Sequence, residues 1–161
     1  MGGCALGGKR ASRKEIEETI DTLRALNFFD CCEKYDICGS YRRGKPDSGD
    51  IDIVFIPNRK YHEWIEDYKE KKRGAYCDSI LLNDIQIDLF SASDDNYYCQ
   101  KILWTGPPNF NLVLKGKAIL RNMFLSAYGL YYENRKVKGI KSEKDIFRLL
   151  NMEFIKPEDR G

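Results

Sequence analysis

Several features that would point to particular functional classes are missing from this 161-residue sequence. His62 is the only histidine, and none of the six cysteines belongs to a C-x-x-C pair, which argues against a zinc site with the usual ligand spacing. No apolar run approaches the roughly 20 residues that a helix needs to cross a bilayer. The N-terminus also lacks the apolar core of a secretory signal. We therefore expect an intracellular protein that is neither secreted nor membrane-bound, and we assign the cysteines no chemistry.

The composition is that of an ordinary globular chain, with 42% apolar and 32% charged residues. The length suits one modest domain or two small lobes. The formal net charge is only +2, but it is unevenly distributed. Residues 1–104 contain 16 basic and 19 acidic residues, whereas residues 105–161 contain 11 basic and 6 acidic ones. The C-terminal third is therefore the better candidate for contacting a polyanion, although a solvated basic surface fits the same counts.

Periodicity and turn residues divide the chain into three parts. Residues 1–11 are glycine-rich and are expected to be a flexible N-terminus. The break Thr105-Gly106-Pro107-Pro108 separates a first lobe, 12–104, from a second, 105–161. Helices are predicted at 13–27, 40–43, 61–68 running into Lys71-Lys72-Arg73, from a Ser93 cap through 103, at 110–123 and from Ser142 onward. Strands are predicted at 50–56, in a hairpin of 76–82 and 85–90, and in a small hairpin of 128–132 and 136–138.

Three acidic residues interrupt the predicted strands. Asp50 and Asp52 are one residue apart, so both carboxylates leave the same face of a strand, with Cα atoms about 7 Å apart. Asp88 lies in the next long strand, between Ile87 and Leu89. An isolated Asp-x-Asp is most often part of a surface loop, but carboxylates inside an apolar strand are costly unless something compensates them. An all-oxygen site without histidine favours Mg²⁺, and three such groups can hold two ions for phosphoryl or nucleotidyl transfer.

The segment before these aspartates has the features of a phosphate site. Gly39-Ser40 precedes a predicted helix start, where backbone N–H groups and a hydroxyl can face a phosphate. Arg42, Arg43 and Lys45 add positive charge, and Gly49 lets the backbone approach a ligand beside Asp50. Nine residues separate Gly39-Ser40 from Asp50-Ile51-Asp52-Ile53, a spacing that resembles the nucleotidyltransferase signature.

The sequence as a whole resembles the X family of DNA polymerases over residues 12–160. The resemblance is carried by Gly39-Ser40-Tyr41-Arg42-Arg43-Gly44, Ser48-Gly49-Asp50-Ile51-Asp52, Ile87-Asp88-Leu89-Phe90, Trp104-Thr105-Gly106-Pro107 and the closing segment 142–160. It implies an α+β fold: a nucleotidyltransferase palm with a mixed β-sheet and flanking helices over 12–104, followed by a small nucleotide-binding α+β lobe, the thumb, over 105–161.

The resemblance also implies an activity, a partner and a role for each site residue. The activity would be DNA-directed DNA synthesis, with pyrophosphate release, on a gapped or primer–template duplex and a dNTP. Asp50 and Asp52 would bind two Mg²⁺ ions, for which Mn²⁺ can substitute, and Asp88 would bind the catalytic ion and help activate the primer 3′-hydroxyl. The implied nucleotide-binding residues are Gly39, Ser40, Arg43 and Gly49 at the phosphates, Trp104 and Gly106 at the sugar, and Asn111 and Lys115 at the minor-groove edge of the nascent pair. The expected protein is a monomer of the nucleus or cytoplasm that fills short gaps in damaged DNA.

Two positions depart from the family pattern. Leu103-Trp104 stands where Tyr-Phe is usual, which leaves the choice between deoxyribose and ribose open. Gln86 replaces an arginine often found two residues before the third aspartate. The chain also starts at the palm, so we expect neither lyase nor exonuclease activity from it. The alternatives are a nucleotidyltransferase acting on RNA, a protein or a small molecule, and a DNA-end-bridging protein whose catalytic site is incidental.

Overall fold

The computed structural model describes residues 10–72 and 75–161 and consists of a central sheet, flanking helices and a smaller C-terminal unit. The first half contains β1 (Ala11–Ser12), α1 (Arg13–Ala25), β2 (Cys32–Ile37), α2 (Gly39–Arg42), β3 (Asp47–Ser48), β4 (Ile51–Pro57), α3 (Tyr61–Tyr68), β5 (Lys69–Lys72), β6 (Cys77–Leu82) and β7 (Ile85–Ser91). The second half contains α4 (Tyr97–Thr105), α5 (Pro108–Ile119), β8 (Met123–Ser126), β9 (Gly129–Tyr132), β10 (Arg135–Lys136) and α6 (Glu143–Leu149). Within the described ranges, no helix combines the length and the apolar character that a membrane span requires.

The central sheet has five strands in the order β2-β4-β7-β6-β5 and is mixed, as predicted. β4 and β7 run parallel, and the other pairs are antiparallel. The predicted hairpin of β6 and β7 is confirmed, and Asn83 and Asp84 form its two-residue turn with positive φ angles of 52° and 62°. This turn fixes the register of β6 on β7, and with it the residues that lie opposite Asp88.

The two faces of this sheet have different surroundings because side chains alternate along each strand. One face packs against α1 and α3 and forms the larger core, in which Ile16 of α1 and Ile65 of α3 meet Ile53 and Ile87. The opposite face is covered over part of its area by α4, whose Tyr97 packs with neighbouring strand residues. The remainder of that second face carries the aspartates of β4 and β7.

The C-terminal unit is built around a separate core. The antiparallel strands β8, β9 and β10 pack with α5 and α6, and Leu114, Leu130 and Phe147 are buried between them. Ile102 of α4 belongs to this core, whereas Tyr97 of the same helix belongs to the sheet. α4 therefore connects the two units, and the boundary at residues 104/105 stays a prediction.

Some sequence predictions need correction. β2 was not predicted because the sequence Cys-Glu-Lys-Tyr-Asp-Ile forms a largely exposed edge strand with no apolar alternation. The helix predicted at 110–123 ends at Ile119, and Asn122, with φ 58°, turns the chain into β8. Residues 69–72 form an edge strand instead of continuing α3, and Arg73 lies outside the described residues. α4 begins at Tyr97 without a Ser93 cap.

The N-terminal segment needs a correction of the same kind. Residues 1–9 of the predicted flexible segment lie outside the described residues. Ala11, however, is buried and pairs with Ser48 in a two-stranded sheet. Backbone pairing and burial therefore fix the end of this segment beside the loop that leads to Asp50.

Candidate active site

Three carboxylates meet on the open part of the second sheet face. β4 and β7 are parallel and in a register that places Asp52 directly beside Asp88, and Asp50 immediately precedes β4. One oxygen from each of the three carboxylates lies within 4.8 Å of the others. The alternation of side chains that suggested a shared face thus brings the three predicted acidic residues together.

The electrostatics of this cluster favour a bound cation. Burial raises the pKa of Asp52 well above its usual range, and the charges of Asp50 and Asp88 raise it further, with Arg43 acting in the opposite direction. Neighbouring carboxylates in a partly dehydrated site repel one another unless a positive charge lies among them. Oxygen-only ligands of this kind suit a hard divalent ion such as Mg²⁺. The residues present therefore fit a divalent metal.

Asp88 is held from two sides by uncharged donors. It is 3% exposed, and its Oδ1 accepts a hydrogen bond from the Ser79 hydroxyl at 2.5 Å and another from the Gln86 amide at 3.0 Å. Ser79 was not singled out in the sequence. It could have been found by counting back from the Asn83-Asp84 turn, because that turn pairs Ser79 with Asp88 across the hairpin.

Gly39 is in contact with this carboxylate cluster. It begins α2 with φ +62°, and an ideal Cβ at this position would lie 2.5 Å from Asp52 Oδ2. The backbone N–H of Cys38 donates to the Asp52 carbonyl at 2.7 Å, which holds the loop against β4. A side chain at residue 39 would therefore displace the Asp52 carboxylate.

This contact gives a prediction for metal binding. Gly39→Ala should weaken Mn²⁺ affinity about 10-fold or more, because Asp52 must rotate away from the new methyl group. Equilibrium Mn²⁺ titration followed by electron paramagnetic resonance measures the change. Gly116→Ala is the matched control: nothing lies within 4 Å of the added Cβ, so its Mn²⁺ affinity should equal that of the wild type. Equal affinities in all three proteins would contradict the role given to Gly39.

A cleft of about 310 Å³ is lined by two of the carboxylates, Asp50 and Asp52, whereas Asp88 lines a separate pocket. It is bounded on one side by the α2 loop and β4 and on the other by the turn from α4 into α5. Its lining includes the predicted residues Gly39, Ser40, Arg43, Gly49, Asp50, Asp52, Trp104, Gly106 and Asn111. Lys115 is exposed on α5 and is not among the lining residues. Arg10, which had been assigned to the flexible segment, lines the cleft while its Nε donates to Asp47 at 2.6 Å.

The turn from α4 into α5 is held by Arg43. Its Nη1 donates to the Thr105 carbonyl at 2.6 Å, and burial lowers the pKa of its guanidinium. Gly106 follows with φ 62° and ψ −150°, a conformation available essentially to glycine alone. Trp104 stacks on Phe90 with ring centroids 4.0 Å apart. The wall of the cleft that faces the carboxylates is therefore fixed by a hydrogen bond, by glycine geometry and by an aromatic contact.

Asn111 contributes a polar group to the same wall. Its Nδ2 donates to the Leu103 carbonyl at 2.7 Å, whereas its buried Oδ1 has no hydrogen-bond partner within the described part of the chain. Buried polar atoms are nearly always paired in native proteins, so an unpaired acceptor lining a cleft indicates a ligand or water position.

Arg42 does not lie at the phosphate site where the sequence pattern had grouped it with Arg43. Instead of lining the cleft with Arg43, it turns toward the C-terminal unit. Its two terminal nitrogens donate to the Glu143 carboxylate at 2.5 and 2.8 Å, and Nη1 also contacts Thr105 Oγ1 at 2.8 Å. Arg42 is thus an internal ion-pair partner, and the described geometry gives it no phosphate to bind.

Comparison with known proteins identifies the family to which this chain belongs. The sequence profile of the DNA polymerase beta palm matches residues 10–91, and the profile of the DNA polymerase beta thumb matches residues 101–161. The chain belongs to the X family of DNA polymerases. The X-family palm match contains all three aspartates, and the thumb match contains Trp104, Gly106 and Asn111.

A relative within this family is the DNA polymerase lambda of Rattus norvegicus. The two sequences are 23% identical over 159 residues, a match that covers 76% of this chain and 28% of the rat protein. The match thus spans less than a third of the length of this curated relative. The similarity joins the two as X-family members.

Proposed function

We propose that this chain is a DNA-directed DNA polymerase that adds a deoxynucleotide to a primer 3′-end and fills short gaps during DNA repair. The observation that carries the proposal is the position of the carboxylate cluster. Three clustered carboxylates are suited to a divalent ion, and two of them, Asp50 and Asp52, line a cleft together with Gly39, Ser40 and Arg43, inside a polymerase beta-like palm. A nucleotide lying in that cleft would present its phosphates to the metal site.

The proposed metal site consists of the three aspartates. Asp50 and Asp52 would hold two Mg²⁺ ions, with Mn²⁺ as a substitute, and Asp88 would share the catalytic ion. Bound divalent ions neutralise charge on the reacting phosphate and lower the pKa of a coordinated hydroxyl. The primer 3′-oxygen forms a bond to the α-phosphorus as the bond to pyrophosphate breaks. Asp88, beside the reacting oxygen, would help to remove the 3′-hydroxyl proton.

The remaining roles follow the walls of the cleft. Ser40, Arg43 and Gly49 are proposed to contact the β- and γ-phosphates, since hydroxyl, guanidinium and exposed backbone N–H groups all donate to phosphate oxygens. Trp104 and Gly106 would contact the sugar. Asn111, whose Oδ1 has no partner within the described residues, would face the minor-groove edge of the nascent base pair. Lys115, one helical turn farther on α5, would act there only if a bound duplex reaches beyond the cleft.

DNA is the proposed macromolecular partner. The two lobes, 12–104 and 105–161, would grip a gapped or primer–template duplex, and the basic residues of the second lobe would lie against its phosphates. We propose a monomer acting in the nucleus or cytoplasm.

Primer extension on a one-nucleotide gapped duplex tests this function. With Mg²⁺ and each dNTP or rNTP supplied singly, we expect incorporation of the template-matched dNTP and little of the other three dNTPs. The rNTP reactions report whether the Leu103-Trp104 pair admits ribose. The same duplex without protein, and with protein in EDTA, provides the controls.

No incorporation on gapped, open or blunt DNA would contradict the polymerase proposal. Transfer of a nucleotide to RNA, a protein or a small molecule in parallel reactions would then favour the second enzyme class. A protein that binds two DNA ends and holds them together without incorporating nucleotides would favour the bridging function. Each acceptor is added separately with radiolabelled nucleotide, so that the labelled product identifies the class.

A further inference from the structure

We propose that Ser79 and Gln86 are positioning residues that fix the orientation of the Asp88 carboxylate toward the divalent ion. The inference rests on the proposed function only in taking Asp88 to be a metal ligand. Neither residue is assigned a role by the similarity to the polymerase beta palm, and Ser79 lies on a different strand from the three aspartates.

The contacts come from two directions and end on one atom. Ser79 of β6 lies directly opposite Asp88 of β7, is 4% exposed, and donates from Oγ to Oδ1 at 2.5 Å. Gln86 precedes Asp88 by two residues on β7, so its side chain leaves the same face, and its Nε2 donates to the same Oδ1 at 3.0 Å. The two donors thus hold one oxygen of the carboxylate from the neighbouring strand and from its own.

Two donors on one oxygen restrict rotation of the carboxylate. The terminal torsion of an aspartate is broad, so an unheld carboxylate samples many orientations. A bound ion must then select one of them, and that selection lowers its affinity. Groups that hold a metal ligand from outside typically change affinity or activity 10- to 100-fold, so we expect at least about a 10-fold contribution here.

The chemistry of the two donors also matters. The serine hydroxyl and the glutamine amide are neutral, so they orient the carboxylate without cancelling its negative charge. A lysine or arginine in the same place would hold the carboxylate equally well but would offset part of its negative charge. The two uncharged donors therefore orient Asp88 without adding a positive charge of their own beside it.

Mn²⁺ binding to the full chain, without DNA or nucleotide, tests the proposal. Ser79→Ala and Gln86→Met each remove one donor at similar size, and each should raise the Mn²⁺ dissociation constant about 10-fold. Because both donors act on one oxygen, the double variant should differ from the product of the two single effects. The Mg²⁺ concentration for half-maximal primer extension should rise in the same variants.

Two further variants separate positioning from general damage. Ser79→Thr keeps the hydroxyl and should recover most of the affinity that Ser79→Ala loses. Ser126→Ala removes a hydroxyl that accepts from the Tyr128 N–H in the β8–β9 turn, and it should bind Mn²⁺ like the wild type. Thermal unfolding of each variant without metal identifies any that fail to fold, and affinity is compared only among folded proteins.

The outcomes divide the two proposals. Wild-type Mn²⁺ affinity in folded Ser79→Ala and Gln86→Met overturns the positioning role, and so does a wild-type protein that binds no Mn²⁺. If the wild type binds Mn²⁺, the variants bind it more weakly and no protein extends a primer, the positioning role stands and the polymerase function fails. If the variants extend a primer normally and bind Mn²⁺ as tightly as the wild type, the polymerase function stands and the positioning role fails.

Discussion

Asp52→Asn is expected to reduce single-nucleotide incorporation by about 10³-fold or more while raising the melting temperature of the metal-free protein. Both effects follow from the loss of the negatively charged Asp52 carboxylate. Asp52 lies beside Asp88 and two residues after Asp50, and burial together with these two charges raises its pKa well above the usual range. Replacing the carboxylate by an amide of the same size relieves this repulsion when no metal is present. It also removes one of the three carboxylates of the proposed metal site.

The measurement combines rapid-quench incorporation on a gapped duplex with calorimetry in EDTA. Asp67→Asn makes the same chemical change at an exposed position of α3, the helix that packs on the opposite face of the sheet, and should alter neither quantity. Retention of more than about a tenth of the wild-type rate by a folded Asp52→Asn protein would contradict the metal-ligand role. A lower melting temperature in EDTA would contradict the repulsion argument.

The clustering of the three aspartates was predictable from sequence because it depends on local periodicity. An Asp-x-Asp inside an apolar strand places both carboxylates on one face, and the second apolar strand supplies the third. The parallel pairing of β4 with β7 is a long-range step that the periodicity does not give, although the apolar flanks of Asp88 already identified its segment as a strand. The order of these motifs along the chain resembles that of X-family polymerases, and this resemblance led to the remaining predicted site residues.

What was missed depends on pairings between distant segments. β2 is an edge strand whose exposed Glu33, Lys34 and Tyr35 give no apolar alternation, so only its partner β4 defines it. Arg10 was placed in a flexible segment because its order comes from Asp47, 37 residues away. The end of α5 was missed because Asn122 adopts a positive φ, which a helical pattern of apolar residues does not reveal.

Arg42 shows the same limit within the site itself. Its neighbour Arg43 lines the cleft, and a sequence cannot tell which of two adjacent arginines turns toward a phosphate. Arg42 is turned away from the cleft by Glu143, which lies 101 residues later in the chain and accepts two hydrogen bonds from it. Such partners become visible only once α6 is packed against α2 and α4.

The buried Glu143 carboxylate contacts both Arg42, the last residue of α2, and Arg160 near the C-terminus. Glu143, 5% exposed, also accepts hydrogen bonds from Arg160, whose Nη2 lies 2.9 Å from Oε2 and whose side chain is fully buried. The Arg160 guanidinium lies within 5.6 Å of the ring centroids of Phe110, Phe147 and Phe154. One carboxylate thus compensates the fully buried Arg160 and the partly buried Arg42.

Glu143→Ala should therefore destabilise the protein by about 3–5 kcal/mol, because it leaves the buried Arg160 and the partly buried Arg42 without their counter-charge. Urea unfolding at pH 7 measures the loss. Glu153→Ala, at an exposed position in the same C-terminal segment, is the control and should change the unfolding free energy by less than about 0.5 kcal/mol. A Glu143→Ala change as small as that of the control would show that the arginines are solvated or paired elsewhere.

The dependence of this loss on pH tests its electrostatic origin. Burial opposes ionisation of Glu143, but the hydrogen bonds and charges of Arg42 and Arg160 prevail and lower its pKa from the ordinary value of 4.5. A carboxyl group whose pKa is lower in the folded state stabilises the protein above the unfolded pKa and loses that contribution as the pH falls through the folded value. The stability gap between the wild type and Glu143→Gln should therefore be constant near pH 7 and shrink progressively below about pH 4.5. A gap that persists unchanged into strong acid would assign the effect of Glu143 to packing instead of charge.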